Sequence, residues 1–377
     1  MRPALVLLCA IAALAQEDAS QLREQAAVLT ASGKYAQAES MLARALESQE
    51  KELGADDPRL TPVIADLAAV LRAQGRNADA EKLYRRSLEI KERAQGEWSS
   101  SLIPDLKMLA GVYAAMARFT EAEQNYLRAI AVRIRAKGPE DLDVADDSAE
   151  LAAFYMARKR FTVAEPNLRR AIVIIQRKLG PEDPALVPVL DHLATVFMEQ
   201  KNYESAESPL RHVVAIVEST QGPSHAGLAP HLDRLAELFF LQKRYADAEP
   251  LYKRSLGIWE ASLGPDNPAL ANTVDNLAVV YAFQEKWTDA EPLYQRSLML
   301  RQRTMVESLN NLAMVLEAQG KNSAAERQYK AAMSLAGKLP PEQSALVAKV
   351  VENYATLLRK LKRNAEAARL ELRTGKK

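Results

Sequence analysis

Between residues 274 and 297 the apolar positions fall at helical spacings: Val274, Leu277, Ala278 and Tyr281, then Ala290, Tyr294 and Ser297. Steps of three, four and seven residues set side chains on one face of an α-helix, so two amphipathic helices are predicted here. The polar stretch Glu285-Lys286-Trp287-Thr288 lies between them as a tight turn. The arrangement recurs. An Ala-Glu pair begins at Ala38, Ala80, Ala122, Ala164, Ala206, Ala248 and Ala290, each 42 residues after the last. The next follows after 35 residues at Ala325, and Ala367 comes after another 42, with Ala368 in place of the glutamate. A second alanine keeps register twelve residues upstream, at Ala26, Ala68, Ala110, Ala152, Ala194, Ala236, Ala278, Ala313 and Ala355. Nine units are counted. Two fixed small positions let helices approach closely, and a unit of this size cannot bury an apolar face alone, so stacking on neighbours makes the core.

Local signals divide each unit. Thr288 with Glu291 has the spacing of a capping box that would start the second helix, as do Thr120/Glu123, Thr162/Glu165 and Ser323/Glu326. Pro166, Pro250 and Pro292 mark helix entry, where a missing backbone donor costs least. Gly54, Gly96, Gly138, Gly180, Gly222 and Gly264 follow the long second helices as stops, and lead into turn sequences such as Gly264-Pro265-Asp266-Asn267-Pro268. The unit starting near Val306 lacks the seven-residue extension of that loop. Each unit is thus expected to be a helix, a tight turn, a longer helix and a loop.

The pattern L-A-x-x-Y followed by A-x-x-x-Y resembles the tetratricopeptide repeat, whose usual unit is about 34 residues. The 42-residue period, with phrases such as Leu179-Gly180-Pro181-Glu182-Asp183-Pro184 and Leu309-Asn310-Asn311-Leu312-Ala313, is similar to the kinesin light chain subgroup. The expected fold is all-α, a right-handed superhelical solenoid of about nine helix-turn-helix repeats over residues 16–374. Gln25 at the first unit's Leu position and Glu371 at the last unit's aromatic position are the polar intrusions that end repeats require.

In such arrays the resemblance implies that first helices line a concave groove which receives peptides or helices. The residue before each Leu-Ala pair then points into it: Glu24, Asp66, Met108, Glu150, His192, Arg234, Asn276, Asn311 and Asn353. This stripe is mostly acidic at its start and cationic in the middle, and it ends in three carboxamides. A carboxamide donates and accepts at once, so it can pair with an extended peptide backbone. In the kinesin light chain group asparagines here are associated with cargo peptides, a role carried to Asn276, Asn311 and Asn353, with Asn272, Asn310 and Lys349 as flanking contacts and Arg234 and His192 further along. The competing reading leaves these asparagines solvated or bonded to the next helix. Small residues such as Ala69, Ala73, Gly111 and Ala115 smooth the early groove, whereas Leu241 and Phe283 roughen the later one.

Composition narrows the functions. Fifty basic and 49 acidic residues among 377 give a net charge of +1, so no basic excess drives contact with nucleic acid. The 14 glycines form no phosphate-cradling motif. His192, His212, His225 and His231 sit on different elements and do not read as a metal site. The carboxylate pairs Asp56-Asp57 and Asp146-Asp147 read as helix-start anions rather than catalytic dyads. No catalytic residue, metal or cofactor is assigned. Residues 1–15 carry one charge, Arg2, an apolar run from Ala4 to Leu14 and the small-residue site Ala13-Leu14-Ala15. They read as a secretory signal cleaved after Ala15, against the alternative of an apolar helix packed on the array. Its removal takes away Cys9, the only cysteine. Residues 16–66 then carry a local charge of −5 and residues 359–377 one of +6, the latter including a basic tail at 375–377. Those opposed ends are either solvated or a means of weak head-to-tail self-association. The expectation is an exported, non-catalytic scaffold that binds a protein or peptide ligand in its groove, without nucleic acid or stable membrane insertion. The alternative is a regulatory or assembly adaptor acting through charged ends and the convex face.

Overall fold

The computed structural model describes residues 19–339 and 344–372; the expected leader and the 375–377 tail lie outside them. Seventeen α-helices follow in order. They are α1 (residues 19–31), α2 (Tyr35–Leu53), α3 (Thr61–Ala73), α4 (Asn77–Gln95), α5 (Ile103–Ala115), α6 (Phe119–Lys137), α7 (Leu142–Ala157), α8 (Phe161–Leu179) and α9 (Leu186–Glu199). Then come α10 (Tyr203–Gln221), α11 (Ala229–Leu241), α12 (Tyr245–Leu263), α13 (Ala271–Phe283), α14 (Trp287–Ala318), α15 (Asn322–Ala336), α16 (Ser344–Lys360) and α17 (Asn364–Leu372). No strand occurs among the described residues. The chain divides into two compact units, Met1–Val196 and Phe197–Lys377. Within each, helix hairpins stack on their neighbours: α2 on α3, α4 on α5 and α6 on α7 in the first, α10 on α11, α12 on α13 and α15 on α16 in the second.

All eighteen register alanines are at most 2 % exposed. Only a methyl group fits at these positions, where second helices cross first helices. Larger apolar side chains such as Tyr84, Leu168, Leu232 and Phe239 fill the space between crossings. The stops act through backbone conformation. Gly180 has φ +106°, and a Cβ there would meet no atom within 4 Å, so glycine is required by its torsion and not by crowding.

Helix starts differ from the expected capping boxes. The second helices α6, α8, α14 and α15 begin at Phe119, Phe161, Trp287 and Asn322, after Arg118, Arg160, Lys286 and Lys321, with no side-chain cap. Thr120, Thr162, Thr288 and Ser323 therefore fall inside the first turn, past the position from which a hydroxyl can accept the exposed N–H groups. Pro166, Pro250 and Pro292 stand at the sixth helical residue, and α8, α12 and α14 run through them unbroken.

The largest departure from the repeating plan is α14. Where the loop extension is missing, the second helix of the seventh unit and the first helix of the eighth are one helix of 32 residues, about 48 Å long. Residues 293–309 contain no Gly, Pro, Asn or Asp, so nothing in this stretch stops a helix.

Candidate functional site

The open faces of the first helices carry the stripe anticipated above, but much of it is already engaged. Arg23 Nε donates to Asp66 Oδ2 at 2.7 Å, Lys107 Nζ lies 2.5 Å from Glu150, and Asn353 Nδ2 donates to Asn310 Oδ1 at 3.0 Å. Each link joins one first helix to the next across 43 residues, so the stripe ties repeats together as well as facing outward. His192, half-buried, belongs to the first compact unit; Arg234, also half-buried, Asn272, Asn276, Asn310, Asn311, Lys349 and Asn353 belong to the second.

The carboxamides differ in burial and in their partners. Asn310 of α14 is buried and accepts from Asn353 of α16. Asn276 is exposed on α13. Asn272 is exposed too and accepts from Arg301 at 3.4 Å, while Asp275 pairs with Arg301 at 3.2 Å. The start of α13 thus lies level with Arg301, and Asn311, ten residues further along the same straight helix, sits about 15 Å beyond it. Asn311 and Lys349 are exposed beside the Asn310–Asn353 pair in sequence, on a separate rung from Asn276.

Two open clefts lie in the last repeats. One of 290 Å³ is lined by Met314, Glu317, Ala318, Tyr329, Asn353, Thr356 and Lys360. Lys360 and Glu317 are 3.5 Å apart across it, and Tyr329 donates to Glu317 at 3.5 Å. The second, of 500 Å³, lies between α15, α16 and α17, with Met333, Tyr354, Leu358 and Arg369 in its wall. Burial, with Glu317 beside it, pushes the Tyr329 phenol up to about 12, and burial with Glu326 does the same for Tyr354, so both remain donors at neutral pH. Further up the array Phe283 is exposed yet stacks on Tyr245 at 5.2 Å and meets Phe240 edge-on at 5.1 Å.

The glutamate of the Ala-Glu pair has a role that position-by-position reading missed. Glu39, Glu81 and Glu123 bind Arg76, Arg118 and Arg160 at 2.7, 2.7 and 2.8 Å. Glu207, Glu249 and Glu326 bind Arg244, Lys286 and Arg363 at 2.6, 2.8 and 2.7 Å. The partner always stands 37 residues ahead, in the next tight turn, and that fixed separation was the available signal. Arg363, with Lys330 and Tyr354, holds the Glu326 carboxyl at about 2. Burial works to raise Glu249, but Lys253 and Lys286 together bring it to about 2.

Other anticipated chemistry resolves into structure. Asp147 is not at a helix start: it is buried inside α7, 3.0 Å from Lys107 and 2.9 Å from Arg133, while Asp141 caps that helix. Asp57 does cap, accepting from the Arg59 N–H at 2.8 Å. His225 Nδ1 accepts from the Gly227 N–H at 3.1 Å, a cap as well. Among the described residues no three His, Cys, Asp or Glu side chains are grouped to hold a metal ion, and no helix is long and apolar enough to cross a membrane. Of the basic C-terminal residues, Arg359 pairs with Glu371 and Arg363 with Glu326 and Glu366. The acidic start is similarly occupied, through Glu50 with Arg86 and Asp56 with Arg93.

The tetratricopeptide repeat pattern matches residues 17–93, 146–219 and 222–303 in one form, and 106–143 and 305–339 in another. The two forms meet inside α14. No curated protein matches the chain. Among solved structures, the C-terminal part of a TPR repeat-containing protein from Cytophaga hutchinsonii is similar with a TM-score of 0.54 at 15% identity, over 74% of this chain and 94% of that one. BtubC (BKLC) from P. vanneervenii gives 0.49 at 20% identity, covering 64% and 92%. The putative kinesin light chain TPR-like repeats of Podosopora anserina give 0.48 at 20% identity, covering 55% and 98%. At such identities the likeness concerns the fold.

Proposed function

Because this chain belongs to the tetratricopeptide repeat family, we propose that it is a non-catalytic scaffold that holds a segment of another protein against the open faces of its first helices, chiefly in the last two repeats. The observation that carries this reading is the 290 Å³ cleft at Asn353. Exposed Met314 offers an apolar seat, and Lys360 with Glu317 offers charge of both signs. Asn353 spends its amide hydrogens on Asn310 and the Met314 sulfur, which leaves its carbonyl oxygen to accept a peptide N–H. An extended segment recognised through its backbone and one apolar side chain suits such a site. Asn276, Asn272, Asn311 and Lys349 are secondary contacts, whereas Asn310 supports the site from beneath. Association through the charged ends is disfavoured by the ion pairs that already occupy them.

A photo-crosslinking residue at Thr356 tests the reading against one at Arg327, exposed on α15. The expected result is partner capture from position 356 alone, reduced at least tenfold by Met314→Ala, Thr356→Arg and Lys360→Glu together with circular dichroism unchanged. Capture from position 327 alone, or indifference to the triple variant, would sink it. The apolar run Ala4–Leu14 before Ala13-Leu14-Ala15 supports export as part of the same proposal. Protein recovered outside the cytoplasm should begin at Gln16; cytoplasmic protein retaining Met1 contradicts this.

A further inference from the structure

At the ordinary junctions the second helix of one unit buries an apolar face against the first helix of the next. On α12 that face includes Tyr252 and Leu256, 3 % and 8 % exposed. The residues one 42-residue period later on α14 are Tyr294 and Leu298, 39 % and 58 % exposed. The receiving face shows the same reversal. Leu270, Leu277 and Val280, at and just before α13 and within it, are 0, 3 and 0 % exposed, while their counterparts 35 residues on, Met305, Leu312 and Val315, are 54, 46 and 54 % exposed.

Both halves of one junction are therefore present, built for each other by the repeat, and both are uncovered. Their placement on a single continuous helix is the reason. Leu298 and Met305 are seven residues apart on α14, close to two helical turns, so the two faces stay in phase. Trp287, Tyr294, Leu298, Met305, Leu312 and Val315 form one stripe along α14, in steps of seven, four, seven, seven and three. A straight helix cannot fold its second half back onto its first. A second copy running antiparallel can offer its Met305–Val315 face to Tyr294 and Leu298 and receive the same in return.

We propose that α14 is the strut of a two-fold symmetric dimer of this chain, in which each copy completes the interrupted repeat junction of the other. Elsewhere Lys91 pairs with Asp105 at 2.9 Å and Arg133 with Asp147 at 2.9 Å across this kind of junction. The equivalent positions here are Arg301 and Ser308. Setting Arg301 of one copy near Ser308 of the other puts the symmetry axis close to Thr304, and keeps the two Arg301 side chains apart. Arg301 instead turns to Asp275 of its own unit. An antiparallel contact about 10 Å wide along α14 gives on the order of 500 Å² per copy, about 1,000 Å² in total, the threshold for a specific interface. Such a contact is isologous and apolar, unlike head-to-tail association through charge. It is independent of the groove reading.

Sedimentation of the purified chain tests the proposal. A dimer at micromolar concentration that persists at high salt is expected, and Leu298→Asp with Leu312→Asp should raise its dissociation constant at least 100-fold while leaving helicity unchanged. A monomer at every concentration overturns the proposal. A disulfide trap adds geometry: in a Cys9→Ser background, Arg301→Cys with Ser308→Cys should give a covalent dimer on oxidation, because within one helix those positions are about 10 Å apart. An intramolecular disulfide would mean that the junction closes within one chain, and would equally overturn it.

Discussion

The junction between α12 and α13 and the one inside α14 are built from the same two helix faces, yet they end differently. At the first, seven residues from Gly264 to Leu270 reverse the chain, Gly264 takes φ +85°, and the next helix covers Tyr252 and Leu256. At the second those seven residues are missing, no stop residue replaces them, and the helix continues. Loop chemistry, more than the apolar pattern, decides whether a repeat buries its own neighbour or leaves that face for another molecule. The ion-pair ladder is interrupted here as well, although not here alone. Glu249 reaches Lys286 in the next turn, whereas Glu291 accepts from Gln295 of its own helix at 3.1 Å, as Glu165 does from Arg169 at 2.8 Å.

The largest difference should appear in core truncations. Leu256→Ala at the ordinary junction should cost about 2–5 kcal/mol, while Leu298→Ala, measured by urea unfolding below the dimer's dissociation constant, should stay within about 0.5 kcal/mol. Equal losses would erase the contrast. A smaller difference separates the carboxamides. Asn353→Ala removes the partner of buried Asn310 and should cost about 1–3 kcal/mol, whereas exposed Asn276→Ala should be nearly neutral by thermal melting.

Turn chemistry comes next. Gly264→Ala forces a Cβ into left-handed space and should cost about 1–2 kcal/mol. Lys243, which already holds φ +60°, should gain up to about 1 kcal/mol on replacement by glycine. The smallest effect is electrostatic. A carboxyl lowered from 4.5 to about 2 in the folded chain stabilises it above pH 4.5 and loses that contribution as pH falls toward 2. Glu249→Gln should therefore cost about 1 kcal/mol at pH 7 and almost nothing at pH 2, read from melting curves at the two pH values.

The repeat register was readable because alanine at a helix crossing and glycine in a left-handed turn have no good substitutes. The cap assignments failed for a physical reason: Thr120 and Thr288 carry the right spacing to a glutamate, but the tight turn ends two residues earlier, on a cation that the preceding repeat's glutamate binds. Asn276, Asn311 and Asn353 share a sequence position but differ in burial and partners, and spacing alone does not reveal that α14 is continuous. The absence of Gly, Pro, Asn and Asp over residues 293–309 held that information. The Glu207–Arg244 type of link needed two positions 37 residues apart to be considered together.

Restoring the missing loop tests the account most directly. Inserting the seven-residue sequence of Gly264–Leu270 between Met305 and Val306 returns the seventh and eighth units to a 42-residue period, and the oligomeric state of that variant can be followed by sedimentation. A folded monomer at concentrations where the parent chain is a dimer, with the amides around Leu298 newly protected from hydrogen exchange, is the predicted result. A variant that associates as the parent does, with Leu298 no better covered, would contradict it.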